Sequence, residues 1–155
     1  MEIELIKNAD LEVQNRLVYL ENQAFGSGGL NEWHLIPLIR HGRVFAARKD
    51  QMIIGVIEYM LDWDNPRKAY MIGVSIAKEA RGQGLGTELI KRTLQILSRD
   101  NLTEVELTVH PENLAAIRVY QNKLGFKTEE LRTDEYGHGE DRLVMTLSLE
   151  NYRTY

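Results

Sequence analysis

Three glycines at alternate positions stand directly before an apolar helical pattern near the middle of the chain. They are Gly82, Gly84 and Gly86 in the segment ARGQGLGTELI, behind Arg81 and ahead of Thr87. Glycine weakens the start of a helix, so its presence there indicates a positive φ or a close approach of the backbone to another group. Backbone N–H groups at a helix N-terminus bind anions. The segment therefore predicts an anion site, and the alternative is a glycine-rich turn that merely starts a helix.

Three phosphate-binding motifs compete for this loop. A P-loop requires a lysine and then Ser or Thr after its last glycine, whereas Gly86 is followed by Thr87 and Glu88. The dinucleotide pattern G-x-G-x-x-G fails because Thr87 stands where the third glycine belongs. The pattern R-x-x-G-x-G is matched by Arg81, Gly84 and Gly86, between a predicted strand and a predicted helix. Such a loop directs successive backbone N–H groups, together with the helix dipole, at a diphosphate.

The composition is that of an ordinary globular chain. It has 155 residues, of which 43% are hydrophobic and 27% charged, with no cysteine and a formal net charge of −4 at pH 7. We expect a single domain over residues 1–155. No apolar run approaches the roughly 18 residues of a membrane span, the N-terminus is not a signal peptide, and the lack of cysteine fits a reducing cytoplasm. Because no dense Lys/Arg cluster exists, neither nucleic acid nor a membrane is an expected partner.

Helical patterns alternate with strand patterns in the middle of the chain, and hairpins stand at both ends. This order predicts an α/β or α+β fold with a mixed sheet covered by helices. The predicted elements are an edge strand IELIK, a helix over residues 9–24, a short helix in NEWHLIPLIRHG, a hairpin turning at Lys49-Asp50, a central strand KAYMIGVSIA, a helix over 84–99, a strand TEVELTV, a helix from Asn113 to Gly125, and two strands, FKTEEL and DRLVMTLSLE.

A second motif follows the glycine loop, in HPENLAAIRVYQNKLGF. Asn113 and Tyr120 stand at i and i+7, close to two helical turns, so their side chains are predicted to share one face of a helix. At the standard rise per residue they are separated by roughly 10 Å along the axis. This helix, like the first, follows a strand. If the two strands are adjacent but splay, both helix N-termini face one wedge-shaped gap.

The two motifs together resemble the GNAT superfamily of acyl-CoA N-acyltransferases. The resemblance covers the strand order from residue 44 onward, whereas the earlier part matches only in helical layout. It implies a mostly antiparallel sheet of six to seven strands with splayed central strands and about four flanking helices. The residues that carry it are Arg81-Gly82-Gln83-Gly84-Leu85-Gly86, then Asn113, Ala116 and Tyr120, and finally Leu124-Gly125-Phe126.

The resemblance implies an N-acetyltransferase that moves the acetyl group of acetyl-CoA to a primary amine by direct attack in a ternary complex. Acetyl-CoA would lie between the central strands, with its pantetheine arm on the backbone of Val74, Ser75 and Ile76, where an amide would also polarise the thioester carbonyl. Asn113 would either hydrogen-bond the cofactor arm or cap its own helix. The diphosphate would lie on Arg81, Gly82, Gln83, Gly84, Leu85, Gly86 and Thr87.

Catalysis needs an acid for the leaving thiolate and a base for the amine. The resemblance makes Tyr120 the acid, because a phenol of pKa about 10 can protonate a thiolate whose thiol has a pKa of about 8.5; the alternative is a core aromatic. The base candidates are Glu106, which shares a strand face with Thr108, and Glu58 in GVIEYM, although either could be a solvated or salt-bridged residue. Related protein N-terminal acetyltransferases often carry a glutamate where Thr108 stands. The histidines lack metal-ligand spacing, so no metal is expected.

The amine acceptor is the least determined part. The resemblance places its site between FGSGGLNEWHLI, which contains Trp33 and His34, and the loop RTDEYGHGED, which contains Tyr136. The local acidity would attract a cationic amine, although solvated loops share this composition. The last hairpin also resembles that of ribosomal-protein alanine N-acetyltransferases, in which a tyrosine helps to hold a peptide N-terminus, and Thr108 weakens that likeness. Small amines, polyamines, amino acids, aminoglycosides and peptide N-termini all stay open.

Two other functional classes compete with catalysis. One is a GNAT-like module that binds CoA without turnover, and the other is a regulator that binds ATP or NAD on the glycine loop. The broken P-loop and dinucleotide patterns disfavour the second. A homodimer is expected only because dimers are common in the family.

Overall fold

A computed structural model describes residues 1–153 of the chain. Within these residues, seven strands form one sheet in the order β1-β2-β3-β4-β5-β7-β6. The strands are β1 Glu2–Leu5, β2 Arg43–Lys49, β3 Met52–Leu61, β4 Lys68–Ile76, β5 Glu104–Val109, β6 Lys127–Arg132 and β7 Arg142–Ser148. The α-helices are α1 Leu11–Phe25, α2 Glu32–His41, α3 Leu85–Leu97 and α4 Leu114–Arg118. The predicted fold class is therefore confirmed, and IELIK is an edge strand as expected.

The sheet is mostly antiparallel. β1 with β2, β2 with β3, β5 with β7 and β6 with β7 form antiparallel ladders, whereas β4 and β5 run parallel. The described ladder between β4 and β5 joins Lys68–Tyr70 to Glu104–Glu106. These two strands therefore pair at their N-terminal ends, as the expected splaying of the central strands requires.

The chain divides into two compact units, described here one at a time. The first unit comprises Met1–Met60 and Met71–Thr93, and the second comprises Leu61–Tyr70 and the chain from Leu94 onward.

The first unit has a core built on β3, which is buried without interruption from Ile53 to Tyr59. A strand buried on both faces reads as a continuous apolar run, and IIGVIEY interrupts that run with a single carboxyl group, that of Glu58. The hairpin between β2 and β3 turns at Asp50 and Gln51, which both have positive φ, so the expected turn at Lys49-Asp50 is wrong by one residue. Two successive left-handed residues are typical of a two-residue hairpin loop.

The second unit contains the C-terminal strands and α4. β5 alternates as expected, with Val105, Leu107 and Val109 buried. The predicted helix from Asn113 to Gly125 is only partly correct. It is α-helical over Leu114–Arg118 and continues as a π-helix over Val119–Leu124, which ends at Gly125 with φ of 88°. A π-helix bonds i to i+5, so the spacing of two α-helical turns assumed for Asn113 and Tyr120 does not apply.

Helix α3 begins at Leu85 and ends at Leu97, slightly inside the predicted range of 84–99. No helix within residues 1–153 has both the length and the apolar character that crossing a membrane requires.

Candidate active site

The glycine loop joins β4 to α3 inside the first unit, in the position that the sequence predicts. Gly82 and Gly84 have φ of 77° and 74°, a left-handed conformation that L side chains rarely adopt. A Cβ atom built on either glycine would meet no atom within 4 Å, and one built on Gly86 would meet only Cγ1 of Ile76, at 3.6 Å. The loop is therefore shaped by glycine and leaves side-chain space open, which fits a ligand held close to the backbone.

The Arg81 side chain stabilises the loop by hydrogen bonds to backbone carbonyls of neighbouring elements. Its Nε donates to the carbonyl of Ile76 at 2.9 Å, and its Nη2 donates to the carbonyl of Gln23 at 3.5 Å. The side chain of Gln23 accepts in turn from the backbone N–H of Lys78 at 2.9 Å. The guanidinium group therefore ties the loop to β4 and α1. Sequence reasoning missed Gln23, because no spacing within α1 marks its partners.

A buried pair of carboxyl groups lies beside β4 in the first unit. Glu21, in α1, and Glu58, in β3, are 2% and 0% exposed. Glu21 is fully hydrogen-bonded, because Oε1 accepts from the Ser75 hydroxyl at 2.9 Å and Oε2 accepts from the Leu30 N–H at 3.0 Å. Both oxygens of Glu58 lack a hydrogen-bond partner among residues 1–153. The sequence did hold a signal for Glu21, since it lies at i+4 from Leu17 on the apolar face of α1.

The environment of Glu58 opposes its ionisation. Burial, and secondly the negative charge of Glu21, raise the pKa of Glu58 well above the usual value of 4.5. Among residues 1–153, no other titratable group contributes to this shift. A carboxyl group that holds its proton to higher pH and faces a fixed carboxylate is a typical arrangement for acid–base chemistry.

Glu106, the other base candidate, lies in the second unit and is ion-paired. Its carboxylate accepts from Lys68 Nζ at 3.2 Å and lies 3.9 Å from Arg132 Nη2. Lys68 also pairs with Asp62 at 3.2 Å. No local spacing in the sequence indicates these partners, which come from other strands. Glu106 is engaged by two cationic side chains, so it is a poorer candidate for removing a proton than Glu58.

Thr108 belongs to a cluster of hydroxyl groups in the second unit. The Tyr70 hydroxyl lies 2.9 Å from Thr108 Oγ1 and 3.4 Å from the hydroxyl of Tyr136, whose ring lies under the guanidinium of Arg142 at 5.0 Å. Burial, with a further contribution from Tyr136, raises the pKa of Tyr70 to about 12. Tyr136 is therefore connected to the strand face that carries Thr108, a link that the sequence did not reveal.

Tyr120 lies in the π-helix of the second unit and is half-buried. Its ring packs against Phe126 with the ring centroids 5.8 Å apart, and burial raises its pKa above 10. Among the residues that the structure describes, none hydrogen-bonds its hydroxyl group. Tyr120 is therefore protonated at neutral pH, which an acid requires, while its ring also packs as a core aromatic would.

Asn113 caps α4. Its Oδ1 accepts from the backbone N–H of Ala116 at 3.2 Å. The capping role that the sequence left open is thus present, and a role toward a cofactor stays a prediction.

We expect Asn113→Ala to lower the free energy of unfolding by about 1 kcal/mol, the usual cost of removing such a cap. Chemical denaturation measures the loss. Asn113→Ser, which can still cap, is the matched control and should recover most of the stability. An alanine variant as stable as the wild type would contradict the capping role.

Trp33 and His34 lie in the first turn of α2. His34 Nδ1 accepts from the backbone N–H of Asn31, at 3.2 Å, and so completes a capping box. Trp33 is 81% exposed. His34 thus has a structural role, whereas the indole of Trp33 is free to contact a ligand. Within residues 1–153, no group of three or more His, Cys, Asp or Glu side chains is placed to hold a metal ion.

Comparison with known proteins shows to which family the chain belongs. Residues 14–126 match the sequence model of the acetyltransferase (GNAT) family. The chain therefore belongs to the GNAT acetyltransferase family, as the loop and helix motifs predicted.

Curated relatives are N-acetyltransferases. An uncharacterized N-acetyltransferase of Methanocaldococcus jannaschii is 32% identical over 118 residues, which are 75% of this chain and 70% of the relative. An N-alpha-acetyltransferase of Saccharolobus solfataricus is 28% identical over 115 residues, 68% of each chain.

Solved structures share the fold. The ribosomal-protein-S18-alanine N-acetyltransferase of Escherichia coli has a TM-score of 0.79 at 18% identity, covering 96% of this chain and 93% of that chain. A GNAT family acetyltransferase of Elizabethkingia anophelis, crystallised with acetyl-CoA bound, has a TM-score of 0.75 at 15% identity, covering 95% and 97%.

Proposed function

We propose that this chain transfers the acetyl group of acetyl-CoA to a primary amine, by direct attack of the amine in a ternary complex. The open glycine loop between β4 and α3 carries the proposal, because it leaves side-chain space at Gly82, Gly84 and Gly86 at the start of a helix. Membership of the GNAT family and the fold shared with a protein that binds acetyl-CoA support it. In this proposal residues 1–155 act as one domain in the cytoplasm.

The proposed binding residues for acetyl-CoA follow the family resemblance. The backbone of residues 81–87 holds the diphosphate, while Val74, Ser75 and Ile76 pair with the pantetheine arm. Arg81 acts by fixing the loop, since its guanidinium is already bonded to two carbonyls. When bound, acetyl-CoA supplies an activated thioester carbonyl.

We assign the base role to Glu58. A base works best when its pKa lies near the working pH, and the raised pKa of Glu58 moves it in that direction. In the ionised form its carboxylate takes a proton from the ammonium group of the acceptor, directly or through one water. The neutral nitrogen then attacks the thioester carbonyl carbon and forms the C–N bond, the C–S bond breaks, and the thiolate takes a proton from Tyr120. The nitrogen loses its extra proton as the amide forms, and this proton returns through solvent to the Tyr120 phenolate.

Tyr120→Phe tests the assignment of the acid. Because a thiolate is a fair leaving group, we expect turnover to fall by about tenfold while the affinity for acetyl-CoA stays unchanged. Steady-state kinetics and calorimetry measure the two quantities. Unchanged turnover in Tyr120→Phe would remove the acid role.

A peptide N-terminus is the second acceptor class within this function. It is favoured by Tyr136, which lies in the loop that resembles the peptide-binding hairpin. The hydroxyl group of Tyr136 is 3.4 Å from that of Tyr70. Trp33, exposed on α2, is a further proposed contact for the acceptor. Relatives named as N-alpha-acetyltransferases give the same indication.

Thiol release from acetyl-CoA with a panel of small amines, polyamines, amino acids, aminoglycosides and peptides tests the function. We expect amine-dependent release with at least one class, and the most active class identifies the acceptor. Tight binding of acetyl-CoA without release for any amine would instead identify a binding module. Tighter binding of ATP than of acetyl-CoA would contradict the proposal.

A further inference from the structure

A polar stripe on α1 faces the turn that leads into the glycine loop. The polar stripe consists of Arg16, Tyr19 and Gln23, which stand at i, i+3 and i+7, a spacing that places side chains on one face of a helix. The turn is a 3₁₀ turn over Lys78–Ala80, directly before Arg81 and the glycines. Neither Arg16 nor Tyr19 has a role in the chemistry proposed above, so the stripe asks for another explanation.

The turn begins without a cap from its own segment. Ala77 precedes it and carries no side-chain acceptor, although the first N–H groups of a helical turn have no partner within the turn. Gln23 supplies the acceptor, since its Oε1 accepts from the backbone N–H of Lys78 at 2.9 Å. The backbone carbonyl of Gln23 also accepts from Arg81 Nη2 at 3.5 Å. One residue of α1 therefore holds the first residue of the turn and the residue that follows the turn.

The side-chain amide of Gln23 is oriented by its neighbours. A backbone N–H can only donate, so the amide oxygen must face Lys78. The amide nitrogen then faces the preceding turn of α1, where Nε2 donates to the Tyr19 hydroxyl at 3.0 Å. The guanidinium of Arg16 lies over the ring of Tyr19, with Cζ 5.4 Å from the ring centroid. The polar stripe thus holds Gln23 in the orientation that the turn requires.

Arg16 adds a second link between the polar stripe and the turn. Its Nε donates to the carbonyl of Ile53 at 2.8 Å, and its Nη2 lies 3.6 Å from Glu79 Oε1. Glu79 is exposed, and an ion pair in contact with water contributes little by itself. Of the two links, only that of Gln23 reaches the backbone of the turn, whose position decides where the N–H groups that follow are directed.

The loop after the turn benefits from a fixed entry. Gly82 and Gly84 both have positive φ, and a Cβ atom built on either would meet no atom within 4 Å, so the space beside them is open. Glycine has more conformational freedom to lose than any other residue when a ligand orders the chain. A ligand that uses the N–H groups of this loop therefore binds more tightly when the entry is already fixed, because less entropy is lost on binding.

We propose that Gln23 is a positioning residue for the diphosphate of acetyl-CoA, and that the polar stripe holds the entry of the glycine loop in place before the ligand binds. This inference rests on the proposed function, which makes the diphosphate the ligand of the loop. Gln23 acts through the Lys78 backbone and Arg81, and Tyr19 acts one step further away by orienting the Gln23 amide. The stripe therefore raises the affinity for a ligand that carries a diphosphate and leaves the affinity for the pantetheine part unchanged.

Gln23→Met, which keeps the length of the side chain and removes the acceptor, tests this inference. We expect the Kd for acetyl-CoA to rise about fivefold, the usual effect of losing one hydrogen bond, while the Kd for S-acetylpantetheine, which lacks the diphosphate, stays unchanged. Calorimetry measures the first constant, and NMR titration of ¹⁵N-labelled protein measures the second. Hydrogen exchange at the Lys78 amide should be faster in the variant. Tyr19→Phe should change the acetyl-CoA affinity in the same direction and to a smaller extent.

Gln14→Met is the matched control, because it makes the same change on α1 and also removes one hydrogen bond, from Gln14 Nε2 to the carbonyl of Ala9 at 2.9 Å. It should leave both affinities and the Lys78 amide as in the wild type. A Gln23→Met variant that binds acetyl-CoA as the wild type does, or that loses affinity for both ligands equally, would overturn the positioning role and leave the proposed function standing. Wild-type protein that does not bind acetyl-CoA would remove the proposed function and this inference with it.

Discussion

Glu58→Gln is expected to lower turnover by about a hundredfold or more, because it removes the group that takes the proton from the ammonium. Glutamine keeps the shape and cannot accept that proton. The affinity for acetyl-CoA should stay within about twofold, since no residue of the loop is changed. Steady-state kinetics with the best amine of the panel, together with calorimetry, measure both quantities. Equal turnover in Glu58→Gln and the wild type would contradict the base assignment.

The pH profile separates a base from a structural residue. In the wild type, turnover should fall on the acidic side as Glu58 is protonated, and this limb should lie well above pH 4.5 because burial and Glu21 raise its pKa. Glu106→Gln should retain that limb, since its carboxylate serves Lys68 and Arg132. Glu58→Gln should lose this acidic limb. The pH dependence of its remaining turnover should follow the pKa of the free amine.

The same ionisation makes a prediction for stability. The pKa of Glu58 is raised in the folded state, so its contribution to the free energy of unfolding is complete below the unfolded pKa, near 4.5, and is lost as the pH rises through the folded pKa. Relative to the wild type, Glu58→Gln should therefore become more stable as the pH rises above that value. Glu12→Gln should show no such trend, because Glu12 is exposed.

Gly86→Val should weaken acetyl-CoA binding by about a hundredfold or more, because its side chain would occupy space that the diphosphate needs. The fold should tolerate it. Gly86 does not have a positive φ, its Cβ would meet only Ile76 at 3.6 Å, and valine is a better helix former than glycine. Gly84→Val is a less informative variant, since a φ of 74° strains any side chain.

Calorimetry with acetyl-CoA measures this effect, and thermal unfolding confirms that the variant is folded. Gln95→Val, which places the same residue further along α3, is the matched control and should keep the wild-type affinity. A folded Gly86→Val variant that binds acetyl-CoA as the wild type does would remove the loop from the binding site.

The fold and the glycine loop were predictable because their signals are local. The spacing in ARGQGLGTELI and the alternation in TEVELTV each determine the structure of a short segment, and the structure places both as expected. The change from α- to π-helix at Val119 has no such local signal. The hairpin turn lies one residue later than predicted. Lys49, Asp50 and Gln51 are all polar, so the sequence is compatible with a turn at either position.

The chemistry of the candidate residues depended on partners distant in sequence. Glu58 and Glu106 are both glutamates in strands, and the sequence alone does not distinguish them. In the structure both oxygens of Glu58 are buried without a hydrogen-bond partner among residues 1–153, whereas Glu106 is paired with Lys68 and Arg132. The apolar spacing in α1 indicated that Glu21 is buried, but not what it contacts. Only the assembled first unit brings the Glu21 carboxyl group to the Ser75 hydroxyl.

Backbone amide NMR tests most directly whether the loop holds a diphosphate. Acetyl-CoA and S-acetylpantetheine, which lacks the diphosphate, are each added to ¹⁵N-labelled protein. Amides that bond to phosphate oxygens should move downfield for residues 82–87 with acetyl-CoA and stay in place with S-acetylpantetheine. If acetyl-CoA binds and leaves these amides unmoved, or if both ligands shift them equally, the account of this loop is wrong.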